Sequence, residues 1–259
     1  MPRRKRSSKK EESGRKKRTR SRTRKKWTLD MKTVVPEVSK RVIESLGLDY
    51  IGIDIDSIKD LIEDIVSSIA EQRATKPSID SLVSNIIRNK QLILKAIAAK
   101  LLQREDLTPE QVEFIVSYAP EIAGRAAPKL YPLAKKLGLD HVIDTLRYLW
   151  VRYGRPTPVE CPYCGFRAVT PDLRCAVCGA QVSERDLKER IGFQELLEEL
   201  AGRSPVAALE AVSAGFVLYD GERLWPPSAA RSLSFYIEIY LNRSERELLE
   251  RAARARITG

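Results

Sequence analysis

Four cysteines constrain this chain more tightly than any other feature. They are the only ones it has, and they fall as two C-x2-C pairs. Cys161 and Cys164 sit in C-P-Y-C-G, Cys175 and Cys178 in C-A-V-C-G, with ten residues between the pairs. Two thiolates three positions apart on a tight turn bind one ion together, and the glycine after each pair (Gly165, Gly179) suits the positive φ such a turn needs. Two such turns face to face give four sulfurs in a tetrahedron, the arrangement Zn2+ accepts in structural sites. Another metal, a disulfide pair or free thiols are the alternatives for the same residues. Four sulfurs close the coordination shell and leave no position for water or substrate, so the expected zinc is structural and not catalytic.

Residues 159–182, with these two knuckles, resemble a zinc ribbon of the rubredoxin-like knuckle type, and the resemblance covers that segment alone. About 25 residues hold too little core to stand by themselves, so metal binding supplies the missing folding energy. Phe166, Val169 and Leu173 are the expected apolar patch. Zinc ribbons recur in transcription, translation and replication proteins, an association and not a proof of function. Tyr163, Arg167 and Arg174 are expected on or near the ribbon surface, with the two arginines as candidate phosphate contacts.

Charge divides the chain into two unequal parts. Residues 1–26 carry fifteen basic residues and two acids, a net of +13, whereas the whole chain of 259 residues is +11 and the remainder therefore −2. The fifteen are Arg3, Arg4, Lys5, Arg6, Lys9, Lys10, Arg15, Lys16, Lys17, Arg18, Arg20, Arg22, Arg24, Lys25 and Lys26. With almost nothing apolar to bury, this tail is expected to be disordered alone and to seek a polyanion. It would gain affinity for nucleic acid by releasing condensed counterions. No aromatic precedes Trp27, which argues against base stacking and for sequence-independent backbone contact. Fully extended, 26 residues reach about 90 Å, enough to follow a groove or pass between RNA helices. A targeting signal, an anionic-membrane tether and an acidic protein partner are the competing readings of the same charge.

The rest is an ordinary near-neutral globular sequence, with 43% hydrophobic residues in the whole chain and no apolar run near the ~20 needed to span a bilayer. No apolar stretch follows the basic N-terminus, so a secretory signal is not expected and a cytoplasmic protein is the default. Plentiful charges with few Asn, Gln and Met lean toward a thermophilic source. Helical periodicity and punctuation predict helices over 36–46, 57–73 (capped by Asp56 or Ser57), 78–88, 89–104, 109–118, 140–153, 184–201 and 205–214. Thr108-Pro109-Glu110-Gln111 is a capping-box start. Pro120, Pro128 and Pro132 cut the next stretch into short helical pieces. Residues 48–55 read as a short strand or an extended lead. Residues 216–226 read as a hairpin turning on Asp220-Gly221. Residues 228–241 fit strand and helix periods equally. Ser244 with Glu247 reads as a capping box for a last helix over 245–256. The fold class is mainly α: a basic tail (1–26), a helical domain (27–154), the zinc ribbon (155–182) and a C-terminal helical domain with its hairpin (183–259).

Weaker constellations have mundane explanations. Asp49, Asp54, Asp56, Asp60, Glu63 and Asp64 would serve as the cap and solvent face of one helix more readily than as a cation site. Residues 194–226 permit a helix-turn-helix with a hairpin wing, but the second helix, PVAALEAVSAG, has no Lys, Arg, Asn or Gln to read bases, so protein contact suits it better. The lone His141 reads as a partly exposed first-turn residue. With no second His and no free Cys there is no Ser-His-Asp or Cys-His mechanism, and no phosphate-cradling glycine motif occurs. The last helix carries Arg243, Arg246, Arg251, Arg254 and Arg256; its N-terminal half alternates charge as solvated helices do, and Arg251, Arg254 and Arg256 lie near its C-terminus, where cations suit the dipole. The expected function is a non-enzymatic nucleic-acid-binding protein of a ribonucleoprotein, ribosome-associated or chromatin-type assembly. RNA stands slightly ahead of DNA, other proteins of the assembly are partners, and no membrane or small-molecule substrate is involved. The first rival reading is a protein–protein adaptor of the replication, transcription or translation machinery; the second is an enzyme acting on nucleic acid with a metal held by the Asp54 to Asp64 carboxylates.

Overall fold

The computed structural model describes residues 28–73 and 75–259. The basic tail, with its expected disorder and its candidate phosphate contacts, lies outside the described residues. The chain runs through α1 (Met31–Leu46), a 3-10 turn (Leu48–Ile51), α2 (Ile55–Gln72), α3 (Ile79–Arg88), α4 (Lys90–Leu101), α5 (Pro109–Tyr118), α6 (Pro120–Arg125), α7 (Ala127–Lys136) and α8 (Asp140–Tyr153). After the cysteine segment come α9 (Glu184–Ile191), α10 (Phe193–Arg203), α11 (Pro205–Ala214), β1 (Phe216–Tyr219), β2 (Leu224–Trp225), a 3-10 turn (Pro227–Ser232), β3 (Ile237–Tyr240) and α12 (Arg243–Thr258). The expected mainly helical body with a hairpin is what the chain forms.

Three start signals fall elsewhere than the sequence predicts. α1 begins at Met31, before Pro36, because Val35 is itself a core residue and extends the apolar face back one turn. Pro36 lacks the N–H that would bond the Lys32 carbonyl; Lys32 is exposed, so water can serve that carbonyl. Residues 48–51 turn as a 3-10 segment instead of a strand. The cap of α2 is Asp54, whose Oδ1 accepts from the Ser57 amide at 2.8 Å. α12 is capped by Asn242 with Glu245 in a reciprocal box, not by Ser244 with Glu247. Strand β3 ends at Tyr240, and Leu241 is buried, so the turn into the helix must come at Asn242.

The Thr108 box forms as predicted, and its Gln111 does more than close a helix end. Gln111 Oε1 accepts from the Thr108 amide at 3.2 Å, while Nε2 donates to the Ile51 carbonyl at 3.0 Å. One buried side chain thereby caps α5 and satisfies a carbonyl left over from the 3-10 turn sixty residues away. Gln111→Ala leaves the buried Ile51 carbonyl without its partner and opens the α5 cap, and is expected to cost about 2–3 kcal/mol, read as a shift of the urea midpoint at unchanged slope.

α1 packs on α2 and α3, α4 on α5, and α6 on α8. The α6–α8 crossing needs Gly124: a Cβ there would lie 2.5 Å from the Leu149 carbonyl oxygen. Gly124→Ala forces the two backbones apart, with an expected loss of about 1–3 kcal/mol in the same unfolding experiment. In the C-terminal part α10, α11 and α12 pack pairwise beside a three-stranded antiparallel sheet of order β2-β1-β3. Tyr219 pairs with Leu224 on one side and Ile237 on the other. Pairing with β1 decides residues 228–241: a 3-10 turn, then a strand. Lys188 of α9 reaches α12 through Glu245 at 2.9 Å and stands 4.9 Å over the Phe193 ring. Among the described residues no helix is long and apolar enough to cross a membrane.

Candidate metal centre

Two knuckles with the same hydrogen-bond pattern bring the cysteines together. In the first, the Cys161 amide donates to the Phe166 carbonyl at 2.8 Å and the Gly165 amide to the Cys161 carbonyl at 2.9 Å. In the second, Cys175 donates to Ala180 and Gly179 to Cys175, both at 2.9 Å. Gly165 and Gly179 each have φ of 74°, the left-handed conformation the sequence anticipates there. Short bridges, Glu160 with Arg167, Val169 with Cys175 and Arg174 with Gln181, tie the segment into a ribbon.

All four Sγ atoms lie within 4.8 Å of one another. Cys161 and Cys178 are 3.8 Å apart, Cys164 and Cys175 3.6 Å. These separations exceed an S–S bond of about 2.05 Å and match the roughly 3.8 Å edge of a tetrahedron with about 2.3 Å metal–sulfur bonds. The four residues are therefore positioned to bind one metal ion. Three of them are buried and Cys178 is partly exposed.

Three of the thiols are perturbed where they stand together. Burial pushes the Cys161 thiol up to about 11. A hydrogen bond from Cys164 lowers Cys175 to about 5, and that same bond, with burial, raises Cys164. So many thiolates cannot ionise side by side without a cation; a bound ion reverses the balance and releases the protons.

The ribbon is wedged between the two helical parts. On the α8 side, Arg147 Nε donates to the Cys164 carbonyl at 2.9 Å and the Trp150 indole to the Arg167 carbonyl at 2.9 Å. Gly165 is needed for this contact, since a Cβ would lie 2.9 Å from Arg147 Nε. From α7, Tyr131 meets Phe166 edge-on at 5.3 Å. On the other side, Tyr163 hydrogen-bonds Asp186 and Glu160 pairs with Arg190 at 2.6 Å. The hairpin turn at Gly221 closes on Pro158, where a Cβ would lie 2.2 Å from the carbonyl oxygen. Phe166 and Val169 are fully buried, with Leu173 packed at the margin.

Both predicted ribbon arginines are exposed but stand on different halves of the ribbon. Arg167 donates to the Pro158 carbonyl at 3.0 Å, whereas Arg174 pairs through its backbone with Gln181. Tyr163 is 53% exposed. His141 opens α8, exposed, 3.1 Å from Glu113. The acids from Asp49 to Asp64 are all exposed; Asp54 is a cap and Asp60 pairs with Lys100 at 3.3 Å. Among the described residues only the cysteines gather three or more potential ligand atoms. Arg147 and Trp150, which seat the cysteine segment, gave no signal in the sequence, because in a helical pattern they read as one surface and one core residue. No family model, no curated protein and no solved structure matches this chain.

Proposed function

We propose that this is a non-enzymatic nucleic-acid-binding protein of a ribonucleoprotein or chromatin-type assembly, in which a zinc ribbon of structural role holds the body rigid and residues 1–26 neutralise phosphates. The observation that carries the reading is the segregation of charge: +13 on residues 1–26 against −2 on all that follows. A polycation so placed binds phosphate backbones through counterion release and without sequence preference. RNA is preferred to DNA, because a long irregular arm suits the crevices of a folded RNA. Zinc is favoured over other ions by an all-sulfur tetrahedral donor set with a closed shell; when bound it supplies folding energy and no reaction chemistry.

The wedged position of the ribbon supports this division of labour. Losing the metal would loosen the contacts of Arg147, Trp150, Asp186 and Arg190 together. The test compares binding of RNA and of DNA by the full chain and by a chain lacking residues 1–26 at low salt. If the full chain binds neither, an adaptor that holds other proteins replaces this reading.

A further inference from the structure

A groove runs between α10, the start of α11 and the β2 strand. It encloses about 370 Å³, and its floor is apolar, made of Leu196, Leu200, Leu224 and Pro226. Trp225 lines it too, and its indole N–H donates to Asp220 at 2.8 Å. Arg203 at the end of α10 and Arg223 in the hairpin turn line the rim. Arg256, from the last turn of α12, brings its guanidinium to about 4.0 Å from where a Cβ on Gly202 would stand, next to Arg203. Two arginines from separate elements thus line the groove, and Arg256 lies beside the end of α10 that forms one side of it. Glu199 pairs with Arg203 at 2.5 Å; neither Arg223 nor Arg256 has an ion pair among the described residues, so the rim keeps positive charge. α11 starts without a side-chain cap and without an acid in its first turn, which adds to the positive potential there without making a site of its own.

A planar aromatic side chain, an apolar floor and a guanidinium rim match a flat base joined to phosphates. The space is too small for a peptide helix about 10–12 Å across. A paired duplex would offer the floor no free base face. Resting on the nucleic-acid reading above, we infer that this groove holds a nucleotide of a single strand, its base against Trp225 and its phosphates on Arg203, Arg223 and Arg256. The sequence hid the site: α11 contains no basic residue, and its cations come from elsewhere in the chain.

The experiment titrates a fluorescent oligouridylate of roughly 15 nucleotides against the full chain, across a salt series, with intact zinc content and an unchanged melt as fold controls. The triple variant R203Q/R223Q/R256Q is expected to flatten the log affinity–log salt slope by about 2 and to bind roughly 100-fold more weakly at 0.1 M salt. The variant R203K/R223K/R256K restores the slope. Tryptophan quenching by the oligonucleotide falls in Trp225→Phe. If the wild type binds the oligonucleotide and the glutamine variant keeps its slope and affinity, the groove is not the site, while the tail reading stands. If the wild type binds no oligonucleotide at low salt, both readings fall. A glutamine variant that loses binding only to a poly-glutamate peptide overturns the inference in favour of an acidic protein segment.

Discussion

Cys164→Ser is expected to abolish stoichiometric metal binding and to unfold the ribbon with the contacts it makes on both sides. Serine cannot ionise near neutral pH, and the remaining three thiolates leave the shell open to water and exchange. Structural zinc in small domains contributes about 10–16 kcal/mol of binding free energy at neutral pH, and this is folding free energy, because the site does not exist in the unfolded chain. Cys164 is the cysteine whose backbone carbonyl Arg147 holds, so its knuckle sits at the junction with α8. Two measurements check the outcome: metal content per chain, and hydrogen exchange of the Cys161, Gly165, Cys175 and Gly179 amides, all closed in knuckle bonds. Protection of these amides should collapse in the variant, and in the wild type after chelation. Acid should have the same effect as chelation, since protons compete with the metal for thiolates. Metal-free protein that keeps those amides protected would show that packing against Tyr131, Trp150 and Arg190 holds the ribbon without an ion. Arg174→Ala, on the exposed side, should leave both readings unchanged.

The parts that were legible in the sequence are those whose geometry is local. A C-x2-C-G knuckle is closed by bonds within six residues, so its spacing alone gives the cluster that the structure forms. The Thr108 box is equally local. Caps were less legible wherever a neighbouring element decides the choice. Asn242 rather than Ser244 starts α12, because β3 and the buried Leu241 fix where the strand must end. Residues 237–240 have a pattern that suits helix and strand alike, and only pairing with β1, some twenty residues earlier, selects the strand. Gln111 shows the limit from the other side. Its capping role is local, but its bond to Ile51 spans sixty residues and no pattern announces it. The gathering of Arg203, Arg223 and Arg256 is of the same kind, since separations of 20 and 33 residues carry no periodicity.

Removal of residues 1–26 is expected to produce the largest change in nucleic-acid affinity of any alteration to this chain. If about half of the fifteen tail cations engage phosphates, the tail contributes a log–log salt slope near −5 on single strands; with the groove the full chain reaches about −7, and its affinity falls about ten-thousandfold between 50 and 200 mM salt. The truncated chain should keep only the shallow slope, about −2, that three groove arginines supply. The two contributions are separable because they differ in kind. The tail has no aromatic before Trp27, so its share should be independent of sequence and present on single and double strands alike, somewhat steeper on the duplex. The groove offers Trp225 to an unpaired base, so its share should vanish on duplexes. Equal slopes for the full and truncated chains would remove the tail from the binding and leave its charge to a different partner. A steep slope on duplexes that the truncation erases, beside a shallow residual slope on single strands alone, is the pattern that an anionic polymer held at two physically distinct places must give.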